Sequence, residues 1–511
     1  MGKALPFLGT ALVLILITCQ PALPPGTPGV TPGVTLKTLT AVTNQLFPQE
    51  ITVGFCKDFD PALLWLPRAP EPFSPLDLAF ESLLSLSSDR RLEPGLAQFE
   101  VSSDGTAITF KLSSQNFWHS GEPLTAYDAA TFLESAFSPE RRGPLSSKAN
   151  LLKGIKVHDE RTFTVTLNEP DCSLITEMGL LKLTRPPAFL RPLYPEKLAG
   201  TGPYRVIQWS RDEILLEKSI TSPKQRAPFH RVLFRRFDST ESLFRALREG
   251  EIAVFILDPG ESAIMEGIST VKFPSSELYF LAFNLREPIL KDVRVRKALG
   301  MAIPREELLE EVLGGEGILA KSPFLPGYLA EEPALPPFNP ERAKNMLREN
   351  GWIDEDGDGI LDKEGSPFKL RILTNGENRL RENVALRITK YYRAIGIDAE
   401  LNVVEWGNFL ETLFGGYFQI AVFSIPIGPD PDLTSFFSAR GIFNFSGFSD
   451  PEVEKLLKQA VQLPGCEFQS RRRIYSYLAL NLAELRPWDY LFFPYIRLGP
   501  KEVIEMEPAS S

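Results

Sequence analysis

The stretch Asp354-Glu355-Asp356-Gly357-Asp358-Gly359-Ile360-Leu361-Asp362 carries the densest chemistry in the chain. Acids stand at the first, third, fifth and ninth positions of a calcium loop, with Gly359 at the sixth, where such loops turn sharply. The twelfth position is Gly365, where a bidentate Glu would be needed. Asp354, Asp356, Asp358 and Asp362 are therefore candidate ligands for one structural calcium ion. The plainer alternative is a solvated acidic turn.

No other stretch has the spacing of a catalytic centre. There is no P-loop, no HExxH, no GxSxG nucleophile elbow and no CxxC pair. Gly200-Thr201-Gly202 is not followed by the Lys-Ser/Thr that a phosphate-cradling loop uses. Gly315-Glu316-Gly317-Ile318-Leu319-Ala320 imitates a dinucleotide fingerprint, but it follows a helical pattern rather than a strand and reads as a loop. His119, one of three histidines, sits in a turn and reads as a surface or packed residue rather than a base. Carboxylate-pair hydrolysis stays formally open because acid pairs have no signature without geometry. The expectation is a protein that is not an enzyme.

The N-terminus offers a different chemistry. Lys3 precedes an apolar run over residues 11–17 and the sequence Leu16-Ile17-Thr18-Cys19, the form of a secretory signal ending in a lipoprotein cleavage site. Cys19 would become the lipidated first residue. The run is short against the roughly 20 residues that a membrane span needs. Residues 20–47, rich in Pro, Gly and Thr, read as a tether of roughly 30 Å on flexible-chain scaling. Cys56, Cys172 and Cys466 allow at most one bridge and one free thiol.

Composition narrows the class further. With 511 residues and 43% hydrophobic content the chain can build two or three cores. Its formal charge of −10, with no basic stripe, argues against nucleic acid as a partner.

The elements that must position any site follow in order. Residues 50–55 alternate like a first strand, a Pro-rich loop follows over 60–75, and a helix is predicted over 76–86. A hairpin is expected from 98–101 and 107–112 around Ser102-Ser103-Asp104-Gly105. Thr125 and Asp128 form a capping box with Asp in place of Glu. Strands are expected at 155–158, 162–167, 204–209, 231–237 and 252–257, with a helix at 241–249.

Leu278-Tyr279-Phe280-Leu281-Ala282-Phe283 has the composition of a strand buried on both faces. Beyond it, Asn339 caps a helix with Pro340 at its first position, ending at Gly351. Strand 368–373, helix 382–395, strand 397–403, a short helix from Trp406 and strand 417–425 then alternate. That alternation demands a largely parallel sheet. Helices are expected at 451–461 and 470–484.

Several stretches are similar to the bacterial extracellular solute-binding proteins of family 5, the dipeptide- and oligopeptide-type receptors of ABC importers. They are Phe283-Asn284, Asp292-Val293-Arg294-Val295-Arg296-Lys297-Ala298-Leu299 and Ala302-Ile303-Pro304-Arg305-Glu306. With them go Trp118-His119-Ser120-Gly121, Gly200-Thr201-Gly202-Pro203-Tyr204 and Phe443-Asn444-Phe445-Ser446-Gly447-Phe448. They arrive in the family's order across about residues 50–500.

The resemblance implies an α/β, two-lobed fold of the type II periplasmic-binding kind, with hinge crossings and an extra small N-terminal subdomain. Lobe I would hold 48–75, 190–275 and 488–511, the extra subdomain 76–189, and lobe II 276–487, after a signal segment at 1–19. It also implies a receptor outside the cytoplasm, in the periplasm or at the cell surface. Such a receptor is a monomer, lipid-anchored, closing on a solute between its lobes and delivering it to an ABC permease.

In peptide receptors of the family, an aspartate three residues before an Asp-Pro-Asp triplet meets the peptide's amino group, and a tryptophan lies just upstream. Here those positions fall on Ile427 and on or near Ser424. Asp430 could substitute, or the ligand could be neutral. The ligand-binding residues implied are Phe423, Ser424, Ile425, Ile427, Asp430, Asn444 and Trp406. A peptide-like solute is expected; a sugar, a metal chelate or a sensory role without transport are the alternatives.

Overall fold

A computed structural model describes residues 49–56, 74–87, 89–185, 194–221, 227–260 and 268–500. Cys19, the tether at 20–47 and most of the Pro-rich stretch at 60–75 lie outside the described residues. The chain divides into two compact units, one reaching Phe273 and resuming at Ile496, the other running from Pro274 to Tyr495.

The first unit opens with β1 (Glu50–Phe55), whose Ile51, Val53 and Phe55 are buried. The predicted helix over 76–86 is not formed. One 3-10 turn, Pro75–Leu78, is followed by β2 (Leu84–Leu86), which pairs with β3 (Leu92–Pro94). The alternation of Leu84 and Leu86 around Ser85 satisfies a ladder, and the pairing prevails over helix propensity.

β4 (Ala97–Val101), β5 (Ala107–Leu112), β6 (Leu152–Val157) and β7 (Thr162–Leu167) make a separate antiparallel sheet in the order β4-β5-β7-β6. α1 (Ala126–Phe137) packs on this sheet and starts with the expected capping box. The Thr125 Oγ1 accepts from the Asp128 amide at 3.2 Å, and Asp128 Oδ2 accepts from the Thr125 amide at 2.9 Å. α2 (Cys172–Leu180) follows.

β8 (Tyr204–Trp209), β9 (Glu213–Lys218), β10 (Arg231–Arg236), α3 (Thr240–Arg248) and β11 (Val254–Leu257) complete the unit's main sheet with β1. β1 lies parallel to both β10 and β11, the outcome of the β10-α3-β11 crossover.

β12 (Val271–Pro274) carries the chain out of this unit. β13 (Glu277–Phe283) is buried from Leu278 to Phe283, as its unbroken apolar run requires. α4 (Val293–Met301) is capped by Asp292, and α5 (Arg305–Leu313) ends at Gly314 in the left-handed region, φ 60°. Gly317–Leu319, read from sequence as loop, is a strand, β14, paired with the last strand of the chain.

α6 (Pro340–Glu349) has the predicted Asn339 cap and first-turn proline. β15 (Asp362–Lys363) and β16 (Ser366–Pro367) form a small hairpin. Next come β17 (Lys369–Asn375), α7 (Arg379–Ala394), β18 (Asp398–Val404), α8 (Trp406–Gly415) and β19 (Ile420–Pro426). α9 (Pro451–Val461), α10 (Phe468–Leu485) and β20 (Trp488–Gly499) close the chain.

The second unit's sheet is mixed rather than largely parallel. β18, β17 and β19 run parallel through the α7 and α8 crossovers, but β13 is antiparallel to both β19 and β20. Trp488 to Phe492 of β20 pair with β13, so this part of the strand belongs to the second unit. The sequence-based boundary at 488 therefore comes too early. The aromatic run from Trp488 to Phe492 is a core strand, with Trp488 stacked on Phe280 at 4.1 Å.

Candidate ligand-binding site

In open α/β sheets, ligands meet the carboxyl ends of parallel strands, where backbone groups are unpaired. In the second unit those ends are Asn375 of β17, Val404 of β18 and Pro426 of β19. α7 and α8 start from the same edge, so their first turns are brought to it as well.

Arg381, in the first turn of α7, is the centre of the cluster found there. Its Nε donates to Ser424 Oγ at 2.8 Å and its Nη1 to Asn375 Oδ1 at 3.1 Å. Phe423 lies under the guanidinium at 4.9 Å and Trp406 at 5.5 Å. Glu277, at the start of β13, lies opposite Pro426 in the ladder, and its Oε1 is 3.7 Å from Arg381 Nη2. The Ser424 hydroxyl donates to the same Oε1 at 2.5 Å.

Burial pulls the Arg381 guanidinium below its ordinary value, and the Glu277 carboxylate opposes that shift. Burial likewise pushes the Tyr279 phenol up, with Glu277 adding to it. Glu377 is held below the usual carboxylate range, chiefly because it accepts the Trp406 amide and then because it accepts the Asn375 side chain. That pair of bonds ties the end of β17 to the start of α8.

The residues singled out from sequence fall as follows. Phe423, Ser424 and Ile425 are buried near the end of β19. Trp406 is the first residue of α8, 39% exposed, stacked on Phe409 at 5.7 Å. Ile427 is buried, and its amide donates to the Ser276 carbonyl. These five share one neighbourhood.

Asp430 is engaged elsewhere: both of its carboxylate oxygens accept from Arg471 at 2.9 Å. Asn444 spends its amide closing its own loop, donating to the Ser438 and Phe448 carbonyls and accepting the Phe448 amide. Glu277, Asn375 and Arg381 were not singled out from sequence. The one visible signal was a single acid, Glu277, heading an otherwise apolar strand.

The acidic loop stands apart from this edge. The carboxylates of Asp354, Asp356, Asp358 and Asp362 offer oxygens all within 4.8 Å of one another, the only such group among the described residues. Asp354 accepts from the amides of Gly357 and Gly359, which take φ of 80° and 91° to reach it. Four hard oxygen donors suit calcium. Gly365, the twelfth position, lies in the turn of the β15-β16 hairpin and brings no side chain.

His119 is a packed residue. Its Nδ1 accepts the Gly200 amide at 3.2 Å, so Nε2 carries the proton and donates to the Gly202 carbonyl at 3.1 Å. Burial brings its pKa down to about 4, the Gly202 carbonyl opposing the shift.

Residues 91–444 match the family described as bacterial extracellular solute-binding proteins, family 5 Middle, and the chain belongs to that family. The oligopeptide-binding protein AppA of Bacillus subtilis is 26% identical over 426 residues, covering 78% of each chain. The structure of that AppA in complex with a nonapeptide superposes with a TM-score of 0.66 at 23% identity, over 88% of this chain and 94% of the other. NikA of Brucella suis, in complex with Fe(III)-EDTA, superposes with a TM-score of 0.75 at 20% identity, over 88% and 94%. The fold is that of the two-lobed solute-binding proteins. Among the described residues no helix is long and apolar enough to cross a membrane.

Proposed function

We propose that the protein is the receptor of an ABC importer, taking up a peptide-like solute outside the cytoplasm and passing it to a membrane permease. The likeness to oligopeptide-binding AppA over 426 residues carries this reading. It acts as a monomer, performs no catalysis, and is held at the membrane by a lipid on Cys19 rather than by a span. The acidic loop at 354–362 holds a structural calcium ion, with Asp354, Asp356, Asp358 and Asp362 as its ligands.

A second reading, a receptor for a metal chelate, is favoured by the superposition on NikA with Fe(III)-EDTA and by the apolar Ile427. Native mass spectrometry of the full chain purified without denaturation separates the two. Copurifying masses that fragment as peptides support the first; a metal-bearing adduct with no peptide overturns it.

A further inference from the structure

We propose that the second unit holds one buried water molecule at the corner between α10 and β20, bridging Arg486, Asp489 and Tyr490. The inference does not depend on which solute the protein binds.

The corner is built from charged groups. α10 ends at Leu485, and Arg486 turns the chain in the left-handed region, φ 48° and ψ 57°, before β20 begins at Trp488. Asp489 then lies between two guanidiniums: its Oδ1 accepts from Arg305 Nη2 at 2.6 Å and from Arg486 Nη1 at 3.0 Å. Arg305 is satisfied, with its other nitrogens on the Tyr490 and Gly300 carbonyls.

The other two ions are not. Arg486 Nε and Asp489 Oδ2 are buried and have no hydrogen-bond partner among the described residues, and the same holds for Tyr490 Oη. Asp489 is 2% exposed and Tyr490 5%, so bulk solvent does not serve them. Buried polar groups are rarely left in that state, because each keeps the full cost of leaving water.

These three residues line one cavity of about 10 Å³, room for a single water molecule. Ala320, Ala334, Pro336 and Ala483 give it apolar walls. Its two remaining polar side chains are taken: Lys321 pairs with Glu332 at 3.2 Å, and Trp488 Nε1 donates to Ser446 Oγ at 3.1 Å. The Tyr392 hydroxyl, also buried without a partner, does not line the cavity.

The three groups select the occupant by charge. A cation would meet the Arg486 guanidinium and an anion the Asp489 carboxylate, each a like-charge contact away from solvent. Water carries both signs. It accepts from Nε, donates to Oδ2 and has a place left for the Tyr490 hydroxyl, which makes the three hydrogen bonds usual for a buried water.

The test has two arms. A high-resolution crystal structure of the full chain, grown with bromide as the halide, should show one peak within hydrogen-bond distance of Nε, Oδ2 and Oη, without anomalous signal. Tyr490→Phe supplies the second arm. Removing a hydroxyl that a water satisfies should lower Tm by about 1–3 °C, whereas removing an orphaned one should leave Tm unchanged or raise it.

Absence of the peak overturns the proposal, as does an anomalous signal, which would make the occupant an anion. Tyr392 Oη bonded directly to Asp489 Oδ2, with no density between Nε and Oδ2, overturns it as well. A Tyr490→Phe variant as stable as the wild type, or more so, would show that no water serves that hydroxyl.

Discussion

Asp430 and Arg471 meet as a closed fork: Nη1 donates to Oδ2 and Nη2 to Oδ1, each at 2.9 Å, with the side chains 5% and 9% exposed. Burial works against the guanidinium's charge, yet Asp430 beside it holds the Arg471 pKa above its ordinary value. The pair fastens the segment after β19 to α10. Asp430→Ala leaves Arg471 buried without its partner and should lower unfolding stability by about 3–5 kcal/mol in urea titration. A loss under about 1 kcal/mol would mean that the pair is solvated.

His119 gives the first unit a pH dependence. Its folded pKa of about 4 lies below the ordinary 6.5, so between those values the unfolded chain binds the proton and the native state does not. Stability should therefore be complete above about pH 6.5 and fall by about 2–3 kcal/mol as the pH drops to about 4. His119→Asn, able to accept and donate as the imidazole does but unable to titrate, should flatten this part of the profile. Denaturant titrations at pH 7 and 5 check it, and equal slopes in the two proteins would refute it.

The acidic loop should respond to calcium. At a hundredfold excess over Kd the ion adds about 2.7 kcal/mol to stability, and chelation should lower Tm by a few degrees. Asp356→Ala, on an exposed loop, should abolish the response without altering the chelated Tm. A Tm indifferent to chelator identifies a solvated turn instead.

Cys19→Ala should remove the lipid. Expressed in a bacterium, the wild type should partition into detergent and the variant into the aqueous phase, without change in solute binding. Identical partitioning would point to an uncleaved membrane anchor.

Much of the scaffold could be read directly. The capping box at Thr125 and the N-cap at Asn339 were legible because a cap is a contact within four residues. The buried run 278–283 was legible as a strand because an unbroken apolar run leaves few alternatives. The failures lie where pairing is remote: residues 84–86 and 317–319 became strands through partners at 92–94 and 492–494. Local preference is weaker than a ladder offered by the rest of the chain.

The candidate site divides along the same line. The residues on one strand or in one turn, Phe423, Ser424, Ile425 and Ile427, could be named from their order in the chain. Asp430 and Asn444 were named the same way, but their polar groups are taken by Arg471 and by a local loop. Glu277, Asn375 and Arg381 come from three separate elements, two of them about 100 residues apart in the chain.

The sequence alone determined that this chain forms α/β cores and carries an acidic loop, because caps, turns and periodicities are short-range physics, while the order of its motifs carries its resemblance to the solute-binding family. The tertiary structure decided which carboxylates are spent on internal partners. Whether a charge is spent depends on what packs against it, and the groups that pack against Glu277, Asp430 and Arg381 are distant in the chain.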